Sequence, residues 1–285
     1  MKPIASFARD WGRVTSILDI SCNTGIFELS TGHYFPDWLR PTGARRAKAR
    51  RCSFWVMPLL DTHVYIDGFN LFYGLLKGKP NKWLNLERFC DQLLPKNNVT
   101  KIYYFTAKVE ARPQDPDQPA RQLAYLNALS TLPRVEVHLG TFMTSVVSQV
   151  EIISDPETGR WLRKGGKPIL KADGNGELVK AWVFKSEEKG SDVNLAAHLL
   201  RDAYRGNCKC AVVVSNDSDL LTPIRMAKAD CDMIVGLVPP RPKGSIELKA
   251  LADFKIDPRP HLLASAQFPE TVQTSAGIVH KPADW

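Results

Sequence analysis

From residue 63 onward, short apolar segments alternate with helix-like segments, and this alternation constrains the fold more than any other feature. The sequence predicts strands over 63–67, 101–107, 135–140, 211–215 and 233–238. It predicts helices over 84–94, 118–132, 190–206 and 218–229, where apolar residues recur at helical spacing. Strands joined by helices form right-handed βαβ units, so we expect a mainly parallel sheet covered by helices on both faces.

The segment 190–206 is the clearest of the predicted helices. Gly190 and Ser191 precede it, and Gly206 ends it. Its apolar pattern predicts a packed face made of Val193, Ala196, Ala197, Leu200, Ala203 and Tyr204. We expect that face to lie against the sheet.

Residues 141–189 interrupt the alternation, because two turn sequences, "DPETGR" and "ADGNGE", separate segments of strand character. This pattern predicts a β-hairpin arm inserted before the helix over 190–206. The arm carries a group of cations beside Trp161: Arg160, Arg163, Lys164 and Lys167. Cations interleaved with aromatic rings can bind a nucleic-acid backbone. An edge hairpin that uses lysines to prevent sheet aggregation has the same composition, so both interpretations stay open.

The chain has 285 residues, enough for one large domain with extensions. We predict a domain over 57–257 and a C-terminal tail over 258–285. Residues 1–56 show no sustained period and hold nine Lys and Arg against four Asp and Glu, so they carry more than half of the net charge of +8. We predict a poorly ordered basic N-terminal extension there.

Carboxylates follow the predicted strands at the same end. Asp67 ends the strand over 63–67, Asp217 and Asp219 follow the strand in "AVVVSNDSDLL", and Asp192 lies in the first turn of the helix over 190–206. Parallel strands bring such residues to one edge of the sheet. A single acid there is usually a helix cap, but several acids together favour Mg²⁺ or Mn²⁺. A metal of this kind suits phosphodiester hydrolysis.

Three blocks of this sequence, "VYIDGFNLFYGLL", "EKGSDVNLAAHLLRDA" and "VVVSNDSDLLTPI", resemble the signature blocks of NYN-domain proteins, the LabA-like branch of the PIN-like nucleases. Their order and separation match over most of residues 60–257. The resemblance implies a three-layer α/β/α sandwich with a divalent-metal site, generally assigned to RNA cleavage. The long arm departs from the minimal domain.

The resemblance also assigns roles to individual residues. It implies catalytic and metal-binding roles for the acidic cluster of Asp67, Asp192, Asp217 and Asp219. Asn70 and Ser215 match its polar positions, and Lys189 matches a cation that could meet a phosphate. The primary prediction is therefore a metal-dependent ribonuclease with RNA as its partner.

Two alternatives of different classes remain. One is a non-catalytic RNA-binding regulatory protein, against which four intact carboxylates argue. The other follows from bacterial sequences that resemble this family and are described as hydroxylases of a succinoyl-pyridine in nicotine degradation. Such an enzyme would use NADH, with or without a flavin. The sequence contains no GxGxxG after a strand that would identify a dinucleotide site.

The remaining features indicate a cytoplasmic protein that does not enter the membrane. No apolar run approaches the roughly 20 residues that span a bilayer. The six cysteines form no CxxC pair, which is typical of reduced thiols in the cytoplasm. The histidines show no ligand spacing on one helix, so we interpret His63, His138 and His198 as structural. The sequence does not decide whether the chain forms a homo-oligomer.

Overall fold

The computed structural model describes residues 59–285, so the predicted N-terminal extension over 1–56 lies outside the described residues. Seven strands form the main sheet: β1 Leu60–Asp67, β2 Asn97–Ala107, β3 Val135–Val150, β6 Lys180–Lys189, β7 Cys210–Val214, β8 Ile234–Leu237 and β9 Phe254–Lys255. Their order is β6-β3-β2-β1-β7-β8-β9, and every neighbouring pair is parallel except β3 with β6. The predicted mainly parallel α/β sheet is therefore confirmed, whereas the PIN-like assignment stays a prediction.

The helices are α1 Gly68–Leu71, which continues as a π-helical turn over Phe72–Leu76, α2 Leu86–Leu93, α3 Gln118–Leu129, α4 Ser191–Arg205, α5 Leu221–Cys231, α6 Ile246–Leu251 and α7 Pro260–Ser265. A 3-10 turn over Ser218–Leu220 precedes α5. Among the described residues, no helix is long and apolar enough to cross a membrane. Two short hairpins complete the chain, β4 Arg163–Lys164 with β5 Lys167–Pro168, and β10 Thr271–Thr274 with β11 Gly277–His280.

The central strands are buried on both faces, which explains their nearly continuous apolar sequences. In β1, Val64 and Ile66 belong to the core on one side of the sheet, and Tyr65 belongs to the core on the other side. Helices α2, α3 and α7 cover the first side, and α4, α5 and α6 cover the second. Burial of these side chains contributes about 25 cal/mol for each Å² of apolar surface removed from water. The fold therefore has two cores separated by one sheet.

The predicted packed face of α4 is partly right, because Ala203 is buried but two of its other members are exposed. Val193 is 72% exposed and Tyr204 is 57% exposed. The buried face instead contains Leu195, Leu199 and Ala203, at i, i+4 and i+8. Because small and apolar residues occur on more than one side of this helix, its sequence period did not select the face that meets the sheet.

The segment predicted as a C-terminal tail, residues 258–285, adds α7 and the β10–β11 hairpin to the first core. Trp83 is fully buried beneath it and donates a hydrogen bond from Nε1 to the carbonyl oxygen of Pro269 at 2.7 Å. The ring of Trp285 lies 6.2 Å from that of Trp83 and 5.8 Å from that of Tyr125. The last residue of the chain therefore packs against aromatic side chains of the core.

The predicted arm over 141–189 is confirmed as an antiparallel pair that runs from Thr141↔Lys189 to Val150↔Lys180. It extends strand β3 past the parallel strands of the sheet, and residues 151–179 continue it through short bridges and the β4–β5 hairpin. Trp182 is 77% exposed and Phe184 is 73% exposed. One face of the arm thus presents aromatic side chains to solvent.

Candidate functional site

The predicted acidic cluster begins with Asp67, whose carboxylate caps helix α1. Its Oδ1 accepts a hydrogen bond from the backbone amide of Asn70 at 2.9 Å. Its Oδ2 accepts one from the hydroxyl of Ser215 at 3.0 Å, and the side-chain amide of Asn70 also donates to it. Asn70 and Ser215 therefore hold Asp67 in place.

The carboxylates after β7 are oriented by the backbone of the turn that contains them. The amide of Asp217 donates to the Ser215 hydroxyl at 3.0 Å, and the amide of Asp219 donates to Oδ1 of Asp217 at 3.0 Å. Asp217 caps the 3-10 turn in this way. These contacts connect the ends of β1 and β7, the two central strands of the sheet.

The charges of neighbouring acids act on Asp192. Burial and the charges of Asp67, Asp217, Glu188 and Asp219 together raise the pKa of Asp192 to about 6. Burial also raises the pKa of Asp67, with Asp217 adding to the shift and hydrogen bonds opposing it. The structure thus brings together all four acids and adds Glu188, which the sequence analysis did not identify.

The acids do not form a ready metal cage. Within the part of the chain that the structure describes, one group of three candidate ligand atoms lies within 4.8 Å of one another, and it contains none of the four acids. The prediction of Mg²⁺ or Mn²⁺ therefore has no support from the geometry.

Replacing Asp192 by asparagine should make the protein more heat-stable at pH 7. The folded pKa of about 6 lies above the unfolded value of 3.8, so the folded state binds the proton more tightly. The stability of the parent then falls as the pH rises from about 4 through 6, and this fall should be absent in Asp192→Asn. Melting temperatures at pH 4, 6 and 7.5 in EDTA test this, with exposed Asp230→Asn as control. Parallel profiles for parent and variant would contradict it.

Of the other predicted binding residues, Lys189 precedes Asp192 by three positions, whereas the cations of the arm lie far along it. Lys189 is exposed and pairs with Glu187 at 3.2 Å. Arg160, Arg163, Lys164 and Lys167 lie in the distal part of the arm, beyond its ten paired positions. Strand rise places this part about 30 Å along the arm from its base. The structure therefore does not bring the cations of the arm to the acidic edge.

A cavity of about 410 Å³ opens on the first face of the sheet, beside the end of β1. Six aromatic side chains line it: Phe69, Phe72, Tyr73, Tyr104, Tyr125 and Trp285. Its walls come from α1, β2, α3 and the last residues of the chain. The sequence analysis did not find this cavity, because its wall includes the C-terminal segment that was predicted as a tail.

Four cations line the same cavity, and two of them are already engaged. Arg121 pairs with Asp115 and with Asp284, and Lys82 donates to the carbonyl oxygen of Asp284 at 3.0 Å. The ammonium group of Lys77 lies 4.8 Å from the ring centroid of Tyr73. Among the described residues, no carboxylate lies within 4.0 Å of the charged groups of Lys77 or Arg112. The cavity therefore offers aromatic walls together with two cations that could bind an anion.

The charged group on the opposite face of the sheet is structural. Asp202 is fully buried and accepts hydrogen bonds from Tyr65 Oη and Asn207 Nδ2 at 2.9 Å and from Arg201 Nε at 3.0 Å. Nδ1 of His63 lies 2.9 Å from it. Hydrogen bonds outweigh the effect of burial and hold the pKa of Asp202 below its usual range. Each carboxylate oxygen of Asp202 therefore has two protein partners.

Comparisons with known proteins provide independent information. No family model matches the chain. The 6-hydroxy-3-succinoylpyridine 3-monooxygenase HspA of Pseudomonas putida is 32% identical over 253 residues, which cover 79% of this chain and 75% of that protein. A solved protein of unknown function from Vibrio parahaemolyticus is 15% identical, with a TM-score of 0.40 over 70% of this chain and 92% of that chain. That structural similarity is too weak to carry an argument.

The similarity to a monooxygenase corrects the primary functional prediction. The ribonuclease interpretation, with its hydrolase and RNA-binding roles, is wrong, because the relative is named as an oxidoreductase. Its name indicates an enzyme and a redox cofactor such as NADH or a flavin, and the geometry and the relative leave Mg²⁺ and Mn²⁺ unsupported. The finding favours the alternative of a succinoyl-pyridine hydroxylase. RNA and a second copy of the chain stay untested as partners, and NYN membership stays a prediction.

Proposed function

We propose, because the chain belongs to the family of the 6-hydroxy-3-succinoylpyridine 3-monooxygenase HspA, that it is a monooxygenase of a hydroxylated pyridine with a carboxylate side chain. The observation that carries this proposal is the 32% identity over most of both chains. A monooxygenase inserts one atom of O₂ into its substrate and releases the other as water. NADH and a proton supply the two electrons and two hydrogen atoms that form the water.

The cavity supports this choice of substrate. The relative, by its name, acts on a pyridine ring that carries a hydroxyl group and a short acid side chain. A flat ring suits a cavity with six aromatic side chains, since offset or edge-to-face contacts between rings are favourable. A volume of about 410 Å³ lies within the range of small-molecule sites. The cavity therefore has a size and a lining that suit such a ring.

We assign the carboxylate of the substrate to Lys77 and Arg112. Both line the cavity, and neither is neutralised by a carboxylate of the described residues. Arg112 can donate two parallel hydrogen bonds to a carboxylate, and Lys77 adds a point charge. Arg121 and Lys82 are held by Asp115 and by the C-terminal segment, so they shape the wall instead.

The acidic edge does not fit the pyrophosphate of a dinucleotide bound as in Rossmann folds. That mode needs free amide groups at the helix that follows the first strand. Here the Asp67 carboxylate already caps helix α1, and Asp192, Asp217 and Asp219 would repel a pyrophosphate. We therefore treat NADH as a second substrate and derive no step through a bound flavin or dinucleotide.

We also assign the reaction to the cytoplasm. The described residues contain four cysteines, at positions 90, 208, 210 and 231, and all are free thiols. Free thiols persist in reducing compartments, where NADH is also produced.

Oxygen uptake by the purified protein tests the proposed function. With 6-hydroxy-3-succinoylpyridine and NADH, we expect O₂ and NADH to be consumed together. Neither should be consumed at a comparable rate when the pyridine is left out. A panel of other pyridine carboxylates tests whether the protein acts on a substrate whose side chain differs from succinoyl. Absence of pyridine-dependent O₂ uptake across the whole panel would contradict the proposal.

A further inference from the structure

Three potential metal ligands meet on the second face of the sheet. Glu136 and His138 lie on β3 at i and i+2, so their side chains point to the same face. His198 lies on α4, which packs against that face. One ligand atom from each residue lies within 4.8 Å of the others, and all three residues are half-buried. This separation is short enough for one ion to contact all three.

The other contacts of these side chains leave the ligand atoms available. Nδ1 of His198 lies 2.8 Å from the carbonyl oxygen of Asn194, an arrangement in which Nδ1–H donates and Nε2 keeps a lone pair. Glu136 Oε2 pairs with the Lys101 ammonium group at 2.6 Å, which leaves Oε1 on the side of His138. Nε2 of His138 lies 3.0 Å from Oε1 but is a buried nitrogen without a well-directed hydrogen bond.

Aromatic packing fixes the positions of both imidazoles. The His138 ring stacks on Phe105, with centroids 5.2 Å apart and an interplanar angle of 19°. The His198 ring lies 5.4 Å from both Phe105 and Tyr103, and 4.1 Å from the His138 ring. The two imidazoles thus face each other with little freedom to turn away. Such preorganisation lowers the entropy that an incoming ion must overcome.

We propose that Glu136, His138 and His198 bind one divalent first-row transition metal ion. Two imidazoles and one carboxylate suit zinc, iron, cobalt and nickel, whereas Mg²⁺ prefers oxygen ligands. Three protein ligands at a half-buried site leave coordination positions for water or another small molecule. Two His and one carboxylate also form the ligand set of non-haem iron oxygenases, so Fe²⁺ belongs among the metals tested; that particular choice rests on the proposed function.

This metal site is distinct from the cavity. Tyr103 and Phe105 contact the histidines, whereas Tyr104 and Thr106 line the cavity. Successive residues of β2 point to opposite faces, so the sheet separates the two places. A bound ion would connect α4 to strand β3, and we expect it to stabilise the folded protein.

Cobalt titration tests the site, because Co²⁺ binding is followed by calorimetry and by its visible absorption without any turnover. The parent protein, first treated with EDTA and dialysed, should bind Co²⁺ at this site and gain melting temperature. His138→Ala and His198→Ala should each weaken this binding by roughly 100-fold or more, because losing a ligand exceeds the effect of losing an outer partner. His280→Ala, at an exposed histidine of β11, should behave as the parent.

Two further variants keep the outcome decisive. Glu136→Gln preserves shape but removes the anionic ligand, so it should weaken Co²⁺ binding even if an alanine variant is unstable. Asp192→Asn should leave the cobalt absorption unchanged, which separates the site from the acidic edge. Parent-like binding in His138→Ala and Glu136→Gln would overturn the proposal, and the group would then be an ion pair beside two packed rings. Cobalt binding without pyridine-dependent O₂ uptake would keep the metal site and reject the proposed function.

Discussion

Replacing Asp202 by alanine lowers the free energy of unfolding by about 3–5 kcal/mol, the range expected when one partner of a buried charged pair is removed. The substitution leaves His63 and Arg201 facing a buried space without their carboxylate. It also removes the acceptor of Tyr65, whose hydroxyl is buried. The loss of several charge-assisted contacts outweighs the removed cost of burying Asp202 itself.

Urea unfolding at pH 6, followed by circular dichroism, measures this effect. Asp230→Ala is the matched control, because Asp230 is exposed and accepts one hydrogen bond, from Tyr204 Oη at 2.7 Å. The control should change the free energy of unfolding by less than about 1 kcal/mol. If Asp202→Ala were no more destabilising than Asp230→Ala, the network around Asp202 would not be a determinant of stability.

The same network gives the stability a defined pH dependence. Burial lowers the pKa of His63, but hydrogen bonds and charges of Asp202 and Cys208 outweigh it and raise the pKa to about 9. The folded value exceeds the ordinary 6.5, so this stabilisation is complete below pH 6.5 and is lost as the pH rises through 9. Asp202→Ala should lose most of that decline. The two urea profiles between pH 6 and 9.5 should therefore converge at high pH.

Replacing both Lys77 and Arg112 by glutamine should raise KM for the pyridine carboxylate by roughly 100-fold, the largest effect on activity that we expect. Each charge-assisted contact contributes about 1.5–3 kcal/mol when it is well formed, and partial exposure of both residues reduces that value. Neither cation contacts the reacting ring carbon in this assignment, so kcat should change much less than KM.

The control for this double variant removes two positive charges at a place outside the cavity. Arg160→Gln with Lys164→Gln alters two exposed cations of the distal arm, outside the cavity. It should leave both kinetic constants near those of the parent. An uncharged substrate analogue, in which an amide replaces the carboxylate, should show little difference between parent and the Lys77/Arg112 variant. Equal KM values for the acid in parent and variant would reject the assignment of its carboxylate.

The sequence was sufficient to predict the five strands β1, β2, β3, β7 and β8, but it missed β9. Residues 64–66 and 211–214 are mostly apolar and β-branched because they lie in two neighbouring inner strands, which helices cover on both faces. The arm over 141–189 was equally predictable, since its two turn sequences are local. The packed face of α4 was not predictable, because Leu195 and Leu199 compete with alanines and with Val193 for the same contacts. Tertiary contacts therefore selected a face that the period left ambiguous.

The candidate sites also differ in whether the sequence could predict them. Asp67, Asp217 and Asp219 could be grouped because each follows a strand of one parallel sheet. Glu136, His138 and His198 could not, because 60 positions separate the histidines and no motif joins a strand residue to a helix residue. The cavity depends on Trp285 at the end of the chain, which has no local pattern at all. The sequence blocks also pointed to a nuclease, although the family is that of a monooxygenase.

Incorporation of labelled oxygen tests the proposed monooxygenase most directly. The protein would be incubated with 6-hydroxy-3-succinoylpyridine and NADH under ¹⁸O₂ in ordinary water, and the hydroxylated product would be analysed by mass spectrometry. We predict that the product gains one ¹⁸O atom, while the second atom is found in water. Incubation under ordinary O₂ in H₂¹⁸O is the matched control and should leave the inserted oxygen unlabelled, once exchange at any ketone or aldehyde group of the product is subtracted. A product whose new oxygen comes from water, or no product at all, would contradict the account.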